Sequence, residues 1–138
     1  LEHLKNIAKN LKVTDNVKFV GVIPHEELAN YLTMSDVYVS TSLSDGGIAL
    51  STLEAMSCES AIVVTDVANN SKWIKDGENG FLIPVKNPDK LAEKVNYLIE
   101  HKEIGKKFGE ISRIIVKEKQ NYEKEMEKAE KLCINLIR

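Results

Sequence analysis

One carboxylate, Glu54, sits inside the apolar run Leu50-Ser51-Thr52-Leu53-Glu54-Ala55-Met56, which a small loop, Ser44-Asp45-Gly46-Gly47-Ile48-Ala49, leads into. A strand, a flexible loop and a helix start in this order form an anion site, because the first backbone N–H groups of a helix lack internal partners and its dipole favours negative charge. Residues 44–58 are therefore read as a site for a phosphate-bearing ligand, with Glu54 free to accept hydrogen bonds from ligand hydroxyls such as a ribose diol. Gly46 and Gly47 permit close backbone approach, although a glycine pair is also the ordinary material of a flexible turn. Asp45 either meets a ligand hydroxyl or forms an Asx turn with its own backbone. Glu54 has a competing local role, since Ser51-Thr52-Leu53-Glu54 has the spacing of a capping box. A helix dipole contributes only about 0.3–1 kcal/mol to one phosphate, so further contacts are required. The only arginines are Arg113 and Arg138, which argues against an arginine clamp for phosphate within this chain.

No other chemistry stands out. His3, His25 and His101 are scattered, with no acidic or serine partner at useful spacing in sequence, and none reads as catalytic. Lys72 either faces a phosphate or is an ordinary surface lysine, and Trp73 reads as packing. No catalytic triad, paired-carboxylate or metal-ligand pattern is visible, so no metal and no cofactor is expected. Cys58 and Cys133 are far apart and outside any CxxC spacing, which excludes a disulfide framework and fits a reducing compartment.

The elements that must hold the site follow from periodicity. Apolar residues at Leu1, Leu4, Ile7, Ala8 and Leu11 predict a helix at the start of the chain. Residues 17–21 read as a short strand, and Pro24 opens a helix running to about Thr33, with Glu26 and Glu27 at its positive end. Residues 37–41 form the strand before the loop. The run Ala61-Ile62-Val63-Val64-Thr65 suits a strand buried on both faces of a parallel sheet. A helical turn over residues 69–73, a turn over 76–80, a strand over 80–84 and a helix from Asn87-Pro88-Asp89 to about His101 complete the series. Residues 103–138 read as charged helices, with Gly105 and Gly109 punctuating their start and Asn121-Tyr122 a break, packed through Ile111, Ile114, Ile115, Leu132 and Leu136. This alternation predicts an α/β fold, a Rossmann-like parallel sheet flanked by helices with a helical C-terminal tail. The expected division is an α/β core over 1–104 and C-terminal helices over 105–138. Ligands in such sheets bind beyond the carboxyl ends of the strands.

The 138 residues, 43% hydrophobic and 29% charged, suit one domain with a sizeable core. The net charge of -2 gives no global pull towards nucleic acid or anionic lipid. No apolar run approaches the ~20 residues of a membrane span.

Taken in order, the motifs resemble those of group 1 glycosyltransferases, retaining enzymes of the GT-B fold that use nucleotide sugars. The resemblance rests on Val17-Lys18-Phe19-Val20-Gly21 with Pro24-His25-Glu26-Glu27-Leu28, on Ser35-Asp36-Val37-Tyr38-Val39, and on Leu53-Glu54-Ala55-Met56-Ser57-Cys58. It continues through Asp76-Gly77-Glu78-Asn79-Gly80-Phe81-Leu82, Asn87-Pro88-Asp89-Lys90-Leu91-Ala92 and Asn121-Tyr122-Glu123. It covers nearly the whole chain collinearly and is specific for the family but weak for the substrate.

The resemblance implies a donor-binding domain. Glu54 would hold the donor ribose; Gly47, Ile48 and Ala49 would contact the sugar, and the amides of Leu50 and Ser51 the diphosphate. Val22 and Ile23 would border the nucleobase. The family's first glutamate, eight residues before Glu54, is here Gly46, with Asp45 one residue further away. The family's Cys-Gly-x-Pro reads Cys58-Glu59-Ser60-Ala61, and Lys72 stands where an acid is common. The family's first strands, which carry the basic residues for the diphosphate, and its amino-terminal acceptor domain lie upstream of Leu1. The implied activity is transfer of a sugar to a glycan or lipid-linked acceptor with retention, in the cytoplasm or at the cytoplasmic membrane face. This chain alone is expected to be inactive and prone to self-association, and membrane contact is expected only through the upstream part. The alternative is a non-catalytic sugar-nucleotide-binding or assembly domain; an epimerase would need acid and base residues in the cleft, which the sequence does not display.

Overall fold

The computed structural model describes residues 1–120 and 122–137. Three strands, β1 (Val37–Ser40), β2 (Ala61–Thr65) and β3 (Phe81–Ile83), form a parallel sheet in the order β1-β2-β3. Val37 pairs with Ala61 and Val63 with Phe81. The described residues also form six α-helices, α1 (Glu2–Asn10), α2 (His25–Met34), α3 (Leu50–Ser57), α4 (Pro88–Glu100), α5 (Lys102–Lys119) and α6 (Tyr122–Ile137), of which α3, α4 and α5 pack on the sheet. The parallel α/β architecture expected from the alternation of elements is present. None of the described helices is long and apolar enough to cross a membrane.

Strand β2 is buried along its full length because it is the middle strand and carries helices on both faces. Its side chains alternate between two cores, as the strand period of two dictates. Ile62 and Val64 join Leu32, Ala55, Met56, Ile74 and Val116 on one face. Ala61 and Val63 join Phe81, Ile83, Leu98 and Phe108 on the other. Phe81 meets both Tyr97 and Phe108 edge to face, at 5.8 and 5.3 Å between ring centroids. Asn87 caps α4 as its sequence position suggested, its Oδ1 accepting the Lys90 amide at 2.9 Å.

Helix α5 differs from expectation. It runs unbroken through Gly105 and Gly109, which are packing sites and not punctuation. Gly105, Phe108, Gly109, Ser112 and Val116 are its buried residues, at helical spacing. A Cβ on Gly109 would stand 1.9 Å from the Glu59 carbonyl oxygen, so the two backbones approach as only glycine allows. Of the expected packing residues, Ile115 lies against the core, whereas Ile114, Leu132 and Leu136 are exposed. Helix α5 ends at Lys119 and α6 begins at Tyr122, so the expected break is present; Asn121 lies outside the described residues.

Buried Asn79 ties α5 to the turn before β3. Its Oδ1 accepts the Lys75 amide at 2.7 Å, and its Nδ2 donates to the Trp73 carbonyl and Ser112 Oγ at 3.1 and 3.2 Å. Ser112 Oγ donates back to the Asn79 carbonyl at 2.8 Å. Gly77, at φ 77°, supplies the positive φ of that turn; Gly80 does not share it.

The strand expected over 17–21 is not formed. These residues are exposed, Gly21 has φ 71°, and none takes part in the sheet. A strand is defined by its pairing, and apolar alternation alone does not provide a partner. The outer edge of β1 is likewise unpaired.

Candidate functional site

The loop between β1 and α3 is anchored at its root. Thr65 Oγ1, at the end of β2, donates to the Ser42 carbonyl at 2.6 Å, and Ser40 Oγ lies 3.4 Å from Ser42 Oγ. Beyond that root, residues 43–48 make no hydrogen bond among the described residues. Asp45 is part-buried and has no hydrogen-bond or ion-pair partner among the described residues, so the Asx turn is not formed. Gly46 and Gly47 have no atom within 4 Å of a would-be Cβ, and neither adopts positive φ. They face open space, in which a ligand can meet bare backbone.

At the start of α3 the amides of Thr52 and Leu53 return to the Ala49 carbonyl, at 3.0 and 3.2 Å. Those of Leu50 and Ser51 donate to no group among the described residues. They are the orphan donors of the helix start and face the loop side. The capping box is not formed: Ala49 is the N-cap and no side chain caps the helix. Ser51 Oγ instead accepts from the Tyr38 hydroxyl at 2.9 Å, which fixes the start of α3 to β1.

Glu54, one helical turn beyond Leu50, is 23% exposed and reaches towards α2. His25 Nδ1 lies 3.7 Å from Glu54 Oε1. Both residues line a pocket of about 360 Å³ between α2, α3 and the end of α5, floored by Leu28, Leu32, Leu53 and Val116. Leu50, Leu53, Glu54 and Ser57, at helical spacing, are the α3 residues that line this pocket. Sequence distance hid the His25 partner, and the absence of an acidic neighbour expected for His25 is corrected here. The signal was present as a helix-opening Pro24-His25, since the first residue of a helix that packs against α3 is placed to reach across it.

Val22 and Ile23 immediately precede α2. Val22 is 98% exposed and Ile23 part-buried. Lys72 is exposed, with its carbonyl accepting from Lys119 Nζ at 2.8 Å, and the same ammonium lies 5.1 Å from the Trp73 ring centroid. Trp73 packs on the core, as read from sequence. A second pocket, of about 250 Å³, opens at the carboxyl ends of the strands between Thr41, Thr65, Ile83 and Lys86. Among the described residues no cluster of three His, Cys, Asp or Glu side chains is placed to hold a metal ion.

A parallel α/β sheet in which a strand leads through a loop into a helix with free first amides defines the class of doubly wound α/β folds. Within it, this chain belongs to the group 1 glycosyl transferases, whose family model matches residues 1–114. It is 30% identical over 137 residues, 99% of its length, to an uncharacterised glycosyltransferase of Methanocaldococcus jannaschii, of which it covers 35%. Its structure is similar to sucrose-phosphate synthase from Thermosynechococcus elongatus, with TM-score 0.92 and 24% identity, covering 99% of this chain and 34% of that one. It is also similar to S. aureus TarM, solved with fondaparinux, α-GlcNAc-glycerol and UDP, with TM-score 0.85 and 27% identity over 95% of this chain and 26% of that one. The chain thus spans about a third of the length of the relative and of the synthase.

Proposed function

We propose that this chain is the donor-binding part of a glycosyltransferase that moves a sugar from a nucleoside diphosphate to a glycan or lipid-linked acceptor with retention of configuration. The observation that carries the reading is the pair of free amides at Leu50 and Ser51, at the start of α3, with the Glu54 carboxylate one turn later on the same helix. Orphan amides suit the diphosphate and a carboxylate suits the ribose diol. Residues 45–49 then lie along the sugar, and Val22 and Ile23 border the base. The UDP in the TarM structure supports a uridine nucleotide as one candidate donor. The donor is already activated, so the reading needs no cofactor. Cations for the diphosphate and the acceptor site are assigned to parts of the protein outside this chain, and the reaction to the cytoplasm or its membrane face.

The test is donor binding, donor hydrolysis and sugar transfer by the full-length protein with UDP-glucose, ADP-glucose and GDP-mannose. Loss of a hydrogen-bonded charged acceptor costs about 1.5–3 kcal/mol, so Glu54→Ala is expected to weaken the preferred donor by about 10- to 100-fold. Unchanged affinity and turnover in Glu54→Ala would remove the ribose assignment. The second reading, a sugar-nucleotide-binding domain without catalysis, is favoured by Gly46 at the place of the family's first glutamate. It is supported instead if donors bind but the full-length protein neither hydrolyses nor transfers.

A further inference from the structure

We infer that Ser51 meets the donor diphosphate with its side-chain hydroxyl as well as its amide, and that Tyr38 is the positioning residue that aims this hydroxyl; the inference rests on the donor reading above. Tyr38 stands on β1, half-buried, and packs against the core cluster that contains Ala55, Met56 and Ile62. Its hydroxyl donates to Ser51 Oγ at 2.9 Å. A serine hydroxyl carries one proton and two acceptor sites. Tyr38 fills one acceptor site, so the Ser51 proton must find its partner elsewhere.

Serine and threonine within a helix can donate to the carbonyl four residues back. Ser57 does so to Leu53 at 2.8 Å, and Thr33 to Ala29 at 2.7 Å. Ser51 is the second residue of α3, and four residues back stands Gly47, in the loop outside the helix. Among the described residues no group accepts the Ser51 proton. Ser51 is exposed, and its own amide is one of the two free ones. It therefore presents an O–H and an N–H together, and Leu50 adds a second N–H. The diphosphate is the part of a nucleotide sugar that matches them, since its charged oxygens accept several such bonds at once. The ribose hydroxyls have the opposite need, an acceptor, which Glu54 supplies.

Without Tyr38 the Ser51 hydroxyl would move among its staggered rotamers, and ordering it on a ligand would cost affinity. The Tyr38 bond removes that freedom before the ligand arrives. It also polarises the Ser51 O–H, which strengthens the bond that the serine donates onward. The ring that does this is held by the sheet and its core, and not by the loop over residues 43–48.

The test is a double-mutant cycle on the full-length protein, read by calorimetric titration with UDP, ADP and GDP. Tyr38→Phe keeps the ring and removes only the hydroxyl, while Ser51→Ala removes the hydroxyl and keeps the amide. Ser51→Ala is expected to weaken the preferred nucleoside diphosphate about three- to tenfold, and Tyr38→Phe about two- to fivefold. The double variant is expected to bind as Ser51→Ala does, because Tyr38 acts through a hydroxyl that is then gone. Ser51→Thr, which keeps a hydroxyl, is expected to retain wild-type affinity. A structural role for Tyr38 alone would weaken binding by the same factor with Ser51 present or replaced, and that result overturns the inference. Wild-type affinity in Ser51→Ala overturns it as well. Either result leaves the donor reading standing where Glu54→Ala weakens the same nucleotide. Absence of binding by all three nucleoside diphosphates to wild type overturns the donor reading and this role with it.

Discussion

Glu59 adopts φ 61°, in the left-handed region, immediately after the C-cap of α3. The position closes the helix: the Glu59 amide reaches the Met56 carbonyl at 3.2 Å and the Ser60 amide the Ala55 carbonyl at 3.0 Å. Glycine holds such a turn without strain, and glycine is what the family pattern has here. A non-glycine residue costs about 1–2 kcal/mol in this region. The side chain recovers a little through Arg113, 3.3 Å away, in a half-exposed pair worth about 0–1 kcal/mol. Glu59→Gly is therefore expected to stabilise the protein by about 0.5–1 kcal/mol, read from chemical denaturation. A fall in stability would show that the Arg113 contact outweighs the backbone strain.

At the scale of elements, α5 decides how the second half of the chain sits on the sheet. It contacts α3, α4 and β2, and its small residues set the closeness of that contact. Replacing an interior helix glycine by alanine gains about 1 kcal/mol from propensity alone. At Gly105 the new Cβ would meet the Ala61 Cβ at 3.5 Å, an ordinary contact, so Gly105→Ala is expected to be neutral or stabilising. At Gly109 it would enter the Glu59 backbone at 1.9 Å, and the backbone there cannot swing aside like a side chain. Overpacking of this kind costs about 1–3 kcal/mol or more. Gly109→Ala is therefore expected to lower stability despite its better helix propensity, and the opposite signs of the two variants in one thermal melt series would check the packing. The Asn79–Ser112 network acts with Gly109, since every polar atom of Asn79 that the turn buries is matched.

At the scale of the molecule, both edges of the sheet, β1 and β3, are unpaired among the described residues, and Leu1, Leu4, Leu11, Val20 and Val22 are exposed on the amino-terminal half. Unpaired strand edges and contiguous apolar surface favour association. The 138-residue chain by itself is expected to self-associate with rising concentration in sedimentation velocity. A monomer that melts cooperatively at all concentrations would contradict this.

The same comparison shows what the sequence alone determined. Its β-branched run at 61–65 specified the buried central strand, because a strand covered on both faces needs no polar alternation. Asn87-Pro88 specified the start of α4, and the Gly-containing loop before Leu50 specified a helix start with free amides, because these are local effects of side chain and φ. The collinear motifs pointed to the family before any fold was seen. What depended on distant partners was not legible. Apolar alternation at 17–21 suggested a strand, but pairing is a tertiary event and none occurs. Gly105 and Gly109 read as helix breaks because glycine is flexible locally, whereas the contact with Glu59 makes its missing Cβ the useful property. The role of Glu54 was open between helix cap and ligand acceptor on spacing alone. The tertiary structure removed the cap, since Ala49 is the N-cap with no side chain capping α3, and it brought His25, 29 residues away in sequence, to 3.7 Å from the carboxylate.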